Sequence, residues 1–536
     1  MATSSRLRVG VIVDRGMLAV WQYKALLTLA GEADLLVYSC QNTKPAPRRI
    51  RNAFYYLLNV FTVRNRLTRL RPWPAELPAA QVHRFNALPE GAWQKLPGEL
   101  IEQFRTDAVD VLVKFGMGLL RIPSPDQLPI PILSYHHGDP AEFRGRPAGF
   151  HEMHAGRPVM GQVVQRLSND LDAGVIVAFA ETKILAHSYR ATLIEAYRHS
   201  PLLLKRAVEN CLAGRSSKPA SWGPNYRLPT NRQLFHFLLK QWRAAAKRLH
   251  YGLFVEKRWQ VATVDLPDSP TFDSLKGALA RHQDWQTVAT PAGYRFLADP
   301  FFHPSEGLLI EGLHRRSSRG QILHIGQHGH RQISGRGGHF SYPAPCANGA
   351  SWFITPEISD WAPARAFSLG EDGLGGPIDL KIPGRPALLD PTPHHENDLI
   401  YLFANRVDEG PSVLRLWVAE NLEGEFAEHP SSPIRLSPNG SRMAGRLLSV
   451  GGNLYRVGQD LRRGYGDGLT FFRVTQIDPS SYSEEAVEDF RFVHVRGPHT
   501  LNLARGGAAF DYYVDGFAPF AGIRRLRDRR AARRDD

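Results

Sequence analysis

In the first third of the chain, apolar residues arrive in short unbroken runs. RLRVGVIVD (Arg6 to Asp14), Ala33 to Cys40, VDVLVKFG (Val109 to Gly116), Ile130 to Leu133 and Gly161 to Leu167 show no polar alternation. Such runs suit strands of a parallel sheet buried on both faces. Helix-period segments, Met17 to Ala30 and Pro97 to Phe104, fall between them, with proline tolerated in a first helical turn. This strand–helix–strand alternation predicts a doubly wound α/β domain. A further helix is expected from His187 to about Leu212. RSSKPASWGPNYRLPT then has linker composition, and another helix runs from Asn231 to His250.

Beyond Val255 the pattern changes to short strands with turn signals at frequent intervals, from RWQVATVD to FDYYVDGF, and no long helix. This is an all-β domain, a sandwich or a propeller. Acidic residues recur beside proline in ADPFF (Asp299), TPE (Glu357) and LLDPT (Asp390). One such residue near the start of each strand cluster favours a propeller whose inner strands aim them at a central channel. The expected division is an α/β domain over 1–214, a linker and connecting helix over 215–254, a propeller over 255–523 and a basic tail over 524–536.

Composition adds bounds. With 536 residues, two or more domains are expected. Cys40, Cys211 and Cys346 are far apart without metal spacing, which suits a reducing compartment, and no metal is expected. No run is long enough for a membrane span, and the N-terminus has no signal-peptide core, so the cytoplasm is the expected location. The net charge of +14 implies attraction to something anionic: phosphorylated sugars, nucleic acid or a membrane face. No module specific for nucleic acid is recognisable. Arg48, Arg49, Arg51, Arg64, Arg66, Arg69 and Arg71 bracket the apolar AFYYLLNVF. That segment is either an interfacial helix, peripheral on the inner membrane face, or a helix packed into its own domain. The run RRLRDRRAARRDD is expected to be a disordered tail.

Candidate chemistry concentrates between Ile130 and Gly174. One strand runs into Ser134, Tyr135, His136, His137, Gly138 and Asp139, and Asp170 and Asp172 follow the next. Histidine exchanges protons near neutrality, and a carboxylate orients it and stabilises the imidazolium. In doubly wound sheets ligands bind beyond the carboxyl ends of strands, where His136, His137 and Asp139 are expected.

Residues 109–184 resemble the folate-dependent formyltransferases. SYHHGDPAEFRG supplies His136 at the position of that family's histidine and Arg144–Gly145 at its Arg-Gly pair. LDAG supplies Asp172 at its aspartate, and FGMG (Phe115, Gly116, Met117, Gly118) looks like its preceding strand and turn. Ser134 stands where the family has asparagine, His137 where it has proline, and Gly138–Asp139 where it has Ser-Leu. The resemblance implies His136 as general acid–base, Asp172 as its orienter and Ser134 or His137 as a polar stabiliser. It also implies formyltetrahydrofolate as co-substrate, held near Phe115 to Gly118 and Asp139.

Residues 255–523 resemble the propeller-like region of glucosamine inositolphosphorylceramide transferases and, distantly, five-bladed glycosidases. Asp299, Glu311, His339 to Pro343, Glu357, Asp390, Arg442, Gln459, Asp460 and Tyr465 carry the resemblance. It implies a glycan site at Asp299, Glu311, Glu357, Asp390, Arg442, Gln459 and Asp460. The expected activity is formyl transfer to an amino sugar of a nucleotide-, lipid- or polysaccharide-linked glycan. The alternatives are glycosyl transfer or hydrolysis by the propeller carboxylates, and glycan or glycolipid binding without catalysis.

Overall fold

The computed structural model describes residues 6–43, 50–77, 79–335, 338–358, 362–371 and 373–532. Arg48, Arg49 and the last four residues of the expected tail lie outside them. The chain divides into two compact units, Met1–Lys247 and Arg248–Asp536.

The first unit is built on one sheet. Its principal strands are β1 (Leu7–Asp14), β2 (Ala33–Cys40), β3 (Ala79–Phe85), β4 (Val111–Lys114), β5 (Ile132–His136), β6 (Val159–Arg166) and β7 (Val175–Lys183). Their spatial order is β3-β2-β1-β4-β5-β6-β7. The first five are parallel, and β6 and β7 turn antiparallel at one edge. The unbroken apolar runs are explained by burial: Val11, Ile12, Val111, Leu112 and Leu133 are all 0% exposed. The strand order reverses between β1 and β4. Such a reversal opens a crevice beyond the strand ends, and Asp14 and Lys114 stand at those two ends.

The helices are α1 (Val20–Leu27), α2 (Ala53–Phe61), α3 (Gly98–Thr106), α4 (Phe150–Ala155), α5 (Tyr189–His199), α6 (Leu202–Leu212) and α7 (Asn231–Phe254). Two of the expected helices need correcting. Met17–Ala19 is a short strand returning antiparallel on β1, so α1 begins only at Val20. The segment from His187 is two helices, broken at Ser200–Pro201, because proline lacks the N–H that would continue the ladder. The stretch with linker composition folds back on this unit: Asn225–Tyr226 pairs with Arg144–Gly145.

The second unit is a five-bladed β-propeller. Its entering strand is β8 (Val255–Asp265), followed by the helix α8 (Phe272–Ala280). Blade one contains β9 (Tyr294–Phe302), β10 (Leu308–His314), β11 (Gly320–Gly326) and β12 (Gly329–Gln332). Blade two contains β13 (Ser341–Asn348), β14 (Ser351–Glu357), β15 (Arg365–Gly370) and β16 (Gly373–Asp379). Blade three contains β17 (Leu388–Glu396), β18 (Leu399–Arg406), β19 (Val413–Ala419) and β20 (Ala427–Glu428). Blade four contains β21 (Asn439–Met443), β22 (Asn453–Asp460), β23 (Leu469–Ile477) and β24 (Tyr482–Phe490). The fifth blade joins β25 (Leu501–Ala504) and β26 (Gly507–Phe517) to β8, which pairs with β26 from Val255↔Phe517 to Asp265↔Gly507. The run expected as a disordered tail is helical as far as described, in α9 (Ala521–Ala532).

The first strand of each of the first four blades carries the same device. Asp299, Tyr342, Asp390 and Gly440 have φ of 49°, 50°, 44° and 78°, each inside a break of register with the second strand. Proline follows the first three. A non-glycine residue held left-handed costs ~1–3 kcal/mol and persists only where its surroundings over-determine it. Two of these four residues are the aspartates singled out in the sequence.

Candidate functional site

His136 is the last residue of β5 and Asp172 lies in the turn between β6 and β7. The structure brings them together, His136 Nδ1 to Asp172 Oδ1 at 3.6 Å. Asp172 is left-handed (φ 48°) and its other oxygen accepts from Gly145 N at 3.0 Å, which fixes the carboxylate. On the far side of the ring, Nε2 lies 3.2 Å from the carbonyl of Phe143. A carbonyl only accepts, so Nε2 carries the hydrogen of the neutral ring. The lone pair is then on Nδ1, beside the carboxylate, where it can take a proton. Gly138 is required here: a Cβ would come within 2.7 Å of both His136 Nε2 and Phe143 O.

Lys114 is a member of this cluster that the sequence reading missed, because a lysine closing an apolar strand reads as a strand end. It is paired in register with Ser134, and Ser134 Oγ lies 3.5 Å from its carbonyl. Burial pulls the ammonium down to about 8, while Asp14 and Asp172 act in the opposite direction. A cation thus stands in the crevice next to the histidine–carboxylate pair.

Other sequence-predicted residues are placed differently. His137 lies just past the end of β5 and faces away from Asp172, among Trp21, Tyr135 and Tyr197 with ring centroids 4.8 to 6.2 Å away. Its Nε2 is bonded to Ser200 Oγ at 2.9 Å, and burial, helped by His136, lowers it to about 3. It stays neutral in the core and does not share the site, which corrects its expected role as polar stabiliser. Asp139 closes its own turn, accepting from Ala141 N at 2.9 Å. Met117 is 0% exposed and Phe115 stacks on Tyr135, so the loop Phe115 to Gly118 can offer a ligand backbone rather than these side chains. Gly116 is held against Asp14, whose Oδ1 would lie 2.5 Å from a Cβ there, and Gly118 is left-handed (φ 51°).

Glu152 of α4 is also buried beside this cluster, its Oε1 3.4 Å from where a Gly138 Cβ would sit. Burial, with Asp139 and Glu142 adding to it, raises its carboxyl to about 8. A carboxyl raised above its unfolded value favours folding below that value and loses the contribution as pH climbs through the folded one. Glu152→Gln should therefore stabilise the first unit by a few kcal/mol at pH 9 and change little at pH 4. Denaturation at the two pH values checks this, and a gain equal at both would refute it.

In the propeller, the glycan residues expected from the sequence divide into a central group and others. Arg442 Nε donates to Asp390 Oδ2 at 2.6 Å and Arg442 Nη2 to Glu357 Oε2 at 2.8 Å, joining blades two, three and four. Gln459 Nε2 donates to the same Asp390 oxygen at 2.8 Å. Glu357 also accepts from Asp390 N at 3.1 Å. Burial raises the carboxyl of Glu357 despite Arg442. Glu311 is buried 3.4 Å from His339 Nε2. Asp460, next along the strand from Gln459, turns to the other face and pairs with Arg462 and Arg491, so it is excluded from the central group.

Asp299 leads to residues that had not been singled out. It accepts from Thr500 Oγ1 at 2.6 Å, and its own N–H donates to Asp511 Oδ2 at 3.0 Å. His499 Nδ1 lies 2.6 Å from the same Asp511 oxygen, and Nε2 lies 2.8 Å from Tyr465 OH. Burial raises Asp299. Burial lowers His499, but Asp511 and Asp299 override it and hold the ring protonated. Ligand atoms of Asp299, His499 and Asp511 lie within 4.8 Å of one another. Asp511 nevertheless spends its oxygens on the N–H groups of Asp299, His499 and Thr500 and on the His499 ring. Tyr465, 42% exposed, stands under the Arg442 guanidinium at 5.3 Å. The arrangement offers several carboxyls, one buried guanidinium and an exposed aromatic ring, the set that hydrogen-bonds and stacks on a sugar.

The two units together define a protein with a histidine–carboxylate site on a doubly wound sheet and an acid-lined five-bladed propeller. Residues 338–506 match the family model described as glucosamine inositolphosphorylceramide transferase 1, N-terminal. The chain is similar to the glucosamine inositolphosphorylceramide transferases 1 of Oryza sativa subsp. japonica (26% identity over 155 residues, 28% of this chain) and Arabidopsis thaliana (25% over 174 residues, 32% of this chain). It spans about a fifth of these curated relatives, 21% of each. Solved structures similar to it include a sugar N-formyltransferase from a Shewanella species (11% identity, TM-score 0.28, 43% of this chain and 87% of that one). Another is glycinamide ribonucleotide transformylase 1 from Symbiobacterium toebii (18%, TM-score 0.27, 40% and 96%).

Proposed function

We propose that the first unit transfers a formyl group from formyltetrahydrofolate to the amine of an amino sugar, and that the propeller holds the glycan bearing it. The observation that carries this reading is His136 Nδ1, unprotonated in the neutral ring, 3.6 Å from Asp172 at the strand ends. The sugar amine attacks the formyl carbon, giving a tetrahedral oxyanion. His136 Nδ1 takes the proton from the attacking nitrogen, with Asp172 stabilising the imidazolium, and returns it to the folate nitrogen as that C–N bond breaks. Lys114 offers the oxyanion a positive charge in place of the neutral amide donor that a serine at position 134 lacks. The loop Phe115 to Gly118 borders the same crevice and offers its backbone to the folate.

Glucosamine, in the name of the matched relatives, is an amino sugar, and its amine is the nucleophile this chemistry needs. The acid-rich propeller centre suits an amine-bearing glycan, whether linked to lipid, polysaccharide or nucleotide. All three cysteines are free thiols, as in a reducing compartment such as the cytoplasm.

Incubating the full chain with formyltetrahydrofolate and a glucosamine-bearing glycan should release tetrahydrofolate and leave a formamide on the sugar. Intact co-substrate with every amine offered, together with an unchanged melting temperature on adding it, would count against the reading. A second reading, glycosidic chemistry in the propeller, is favoured by the raised carboxyls of Asp299 and Glu357, since such reactions need one protonated acid. Asp299→Asn separates the two: with the glycan saturating it should spare the turnover rate of formyl transfer, whereas loss of sugar-bond cleavage would identify the propeller as the reacting site.

A further inference from the structure

The helix α2 buries Tyr55 against the first unit and leaves Phe54, Leu57 and Phe61 59%, 59% and 64% exposed. Their spacing of three and four puts them on one outward face. The helix α7 repeats the arrangement. Leu234 and Phe237 are buried, while Phe235, Leu238 and Trp242 are 67%, 44% and 67% exposed on a second single face. The two helices start at the same corner. Asn52 Nδ2 donates to the carbonyl of Pro229 at 2.8 Å, and Asn231 Oδ1 accepts from Phe54 N at 3.3 Å. Helices already anchored by one apolar face have no folding reason to carry another, and a paired patch of this kind marks an interaction surface.

The charges around it select the partner. Arg64 and Arg66 follow α2, and Arg232 and Arg243 flank the stripe on α7. All four are exposed, and none forms an ion pair with a described residue. Exposed arginines with no ion pair among the described residues, beside exposed phenylalanine and tryptophan, match an anionic headgroup layer over hydrocarbon. No described helix is long and apolar enough to cross a membrane. We propose that α2 and the first half of α7 lie in the surface of an anionic bilayer, and that the protein is held there by this corner of its first unit. This is independent of the reaction proposed above.

The test is co-sedimentation of the full chain with phosphatidylcholine vesicles, with and without phosphatidylglycerol. Binding is expected only with phosphatidylglycerol, weakening as salt rises. Phe54→Ser combined with Trp242→Ser should lower partitioning at least ~10-fold, and Arg64→Glu with Arg66→Glu likewise, both with unchanged melting temperature. Failure to bind phosphatidylglycerol vesicles overturns the proposal. So does equal binding to both vesicles, since the arginines then play no part. A doubled mass in light scattering that the Phe54 and Trp242 substitutions abolish assigns the patch to a second copy of the chain and overturns it as well.

Discussion

His136→Ala is expected to cut formyl transfer by ~10²–10⁴, the range of a positioned proton carrier, while the first unit still folds. The ring makes one weak bond to the Phe143 carbonyl, so the stability cost is about 1 kcal/mol. Asp172 then keeps its carboxylate, held by Gly145 N, but has no imidazolium to stabilise. Lys114→Met supplies a second, distinguishable result: a loss of ~10²–10³ if its ammonium faces the oxyanion. In the unaltered protein the rate should fall as pH rises past about 8, where this ammonium loses its proton. That limb of the pH profile should be missing in Lys114→Met. Turnover of His136→Ala at the original rate would remove the site from the mechanism altogether.

Arg442→Met should destabilise the propeller by ~3–5 kcal/mol at pH 8, because it leaves two buried carboxyls without their shared cation. The side chains of Arg442, Glu357 and Asp390 are 14%, 10% and 3% exposed, so water replaces little of what the guanidinium provides. Burial already raises Glu357, and Arg442 opposes that, so removing the cation favours its protonated form further. The deficit should therefore shrink at pH 5, where Glu357 in the folded variant holds a proton that the unfolded chain has largely given up. Denaturant unfolding of the full chain at both pH values measures this. An unaltered unfolding curve at pH 8 would mean that the three groups do not act as one unit.

The sheet of the first unit was legible because parallel strands buried on both faces must be apolar throughout, as in VGVIVD and DVLVKFG. The pairing of His136 with Asp172 was legible through the family resemblance. Other features were not, for physical reasons. His136 and His137 look equivalent as letters, but His136 ends the strand facing Asp172 while His137, the first residue past it, turns to Ser200 and the aromatic core. Gln459 and Asp460 divide in the same manner. His499 and Asp511 lie about two hundred residues from Asp299 in sequence and gain their meaning only when the ring brings first and last blades together. The C-terminal basic run is rich in residues of good helix propensity, and α9 is further held by Arg525 Nη2, which donates to the carbonyl of Val255 at 2.7 Å.

The pairing of β8 with β26 has a consequence for biosynthesis. Eleven residues of the entering strand wait for eleven that come roughly 250 positions later, so the fifth blade stays half-made through most of translation. The sheet of the first unit needs nothing beyond residue 183 and can assemble while the ribosome is still at work. A message truncated before codon 507 would thus yield a nascent chain whose amino-terminal unit is sound and whose ring gapes, exposing the edge of β8 to chaperones and proteases.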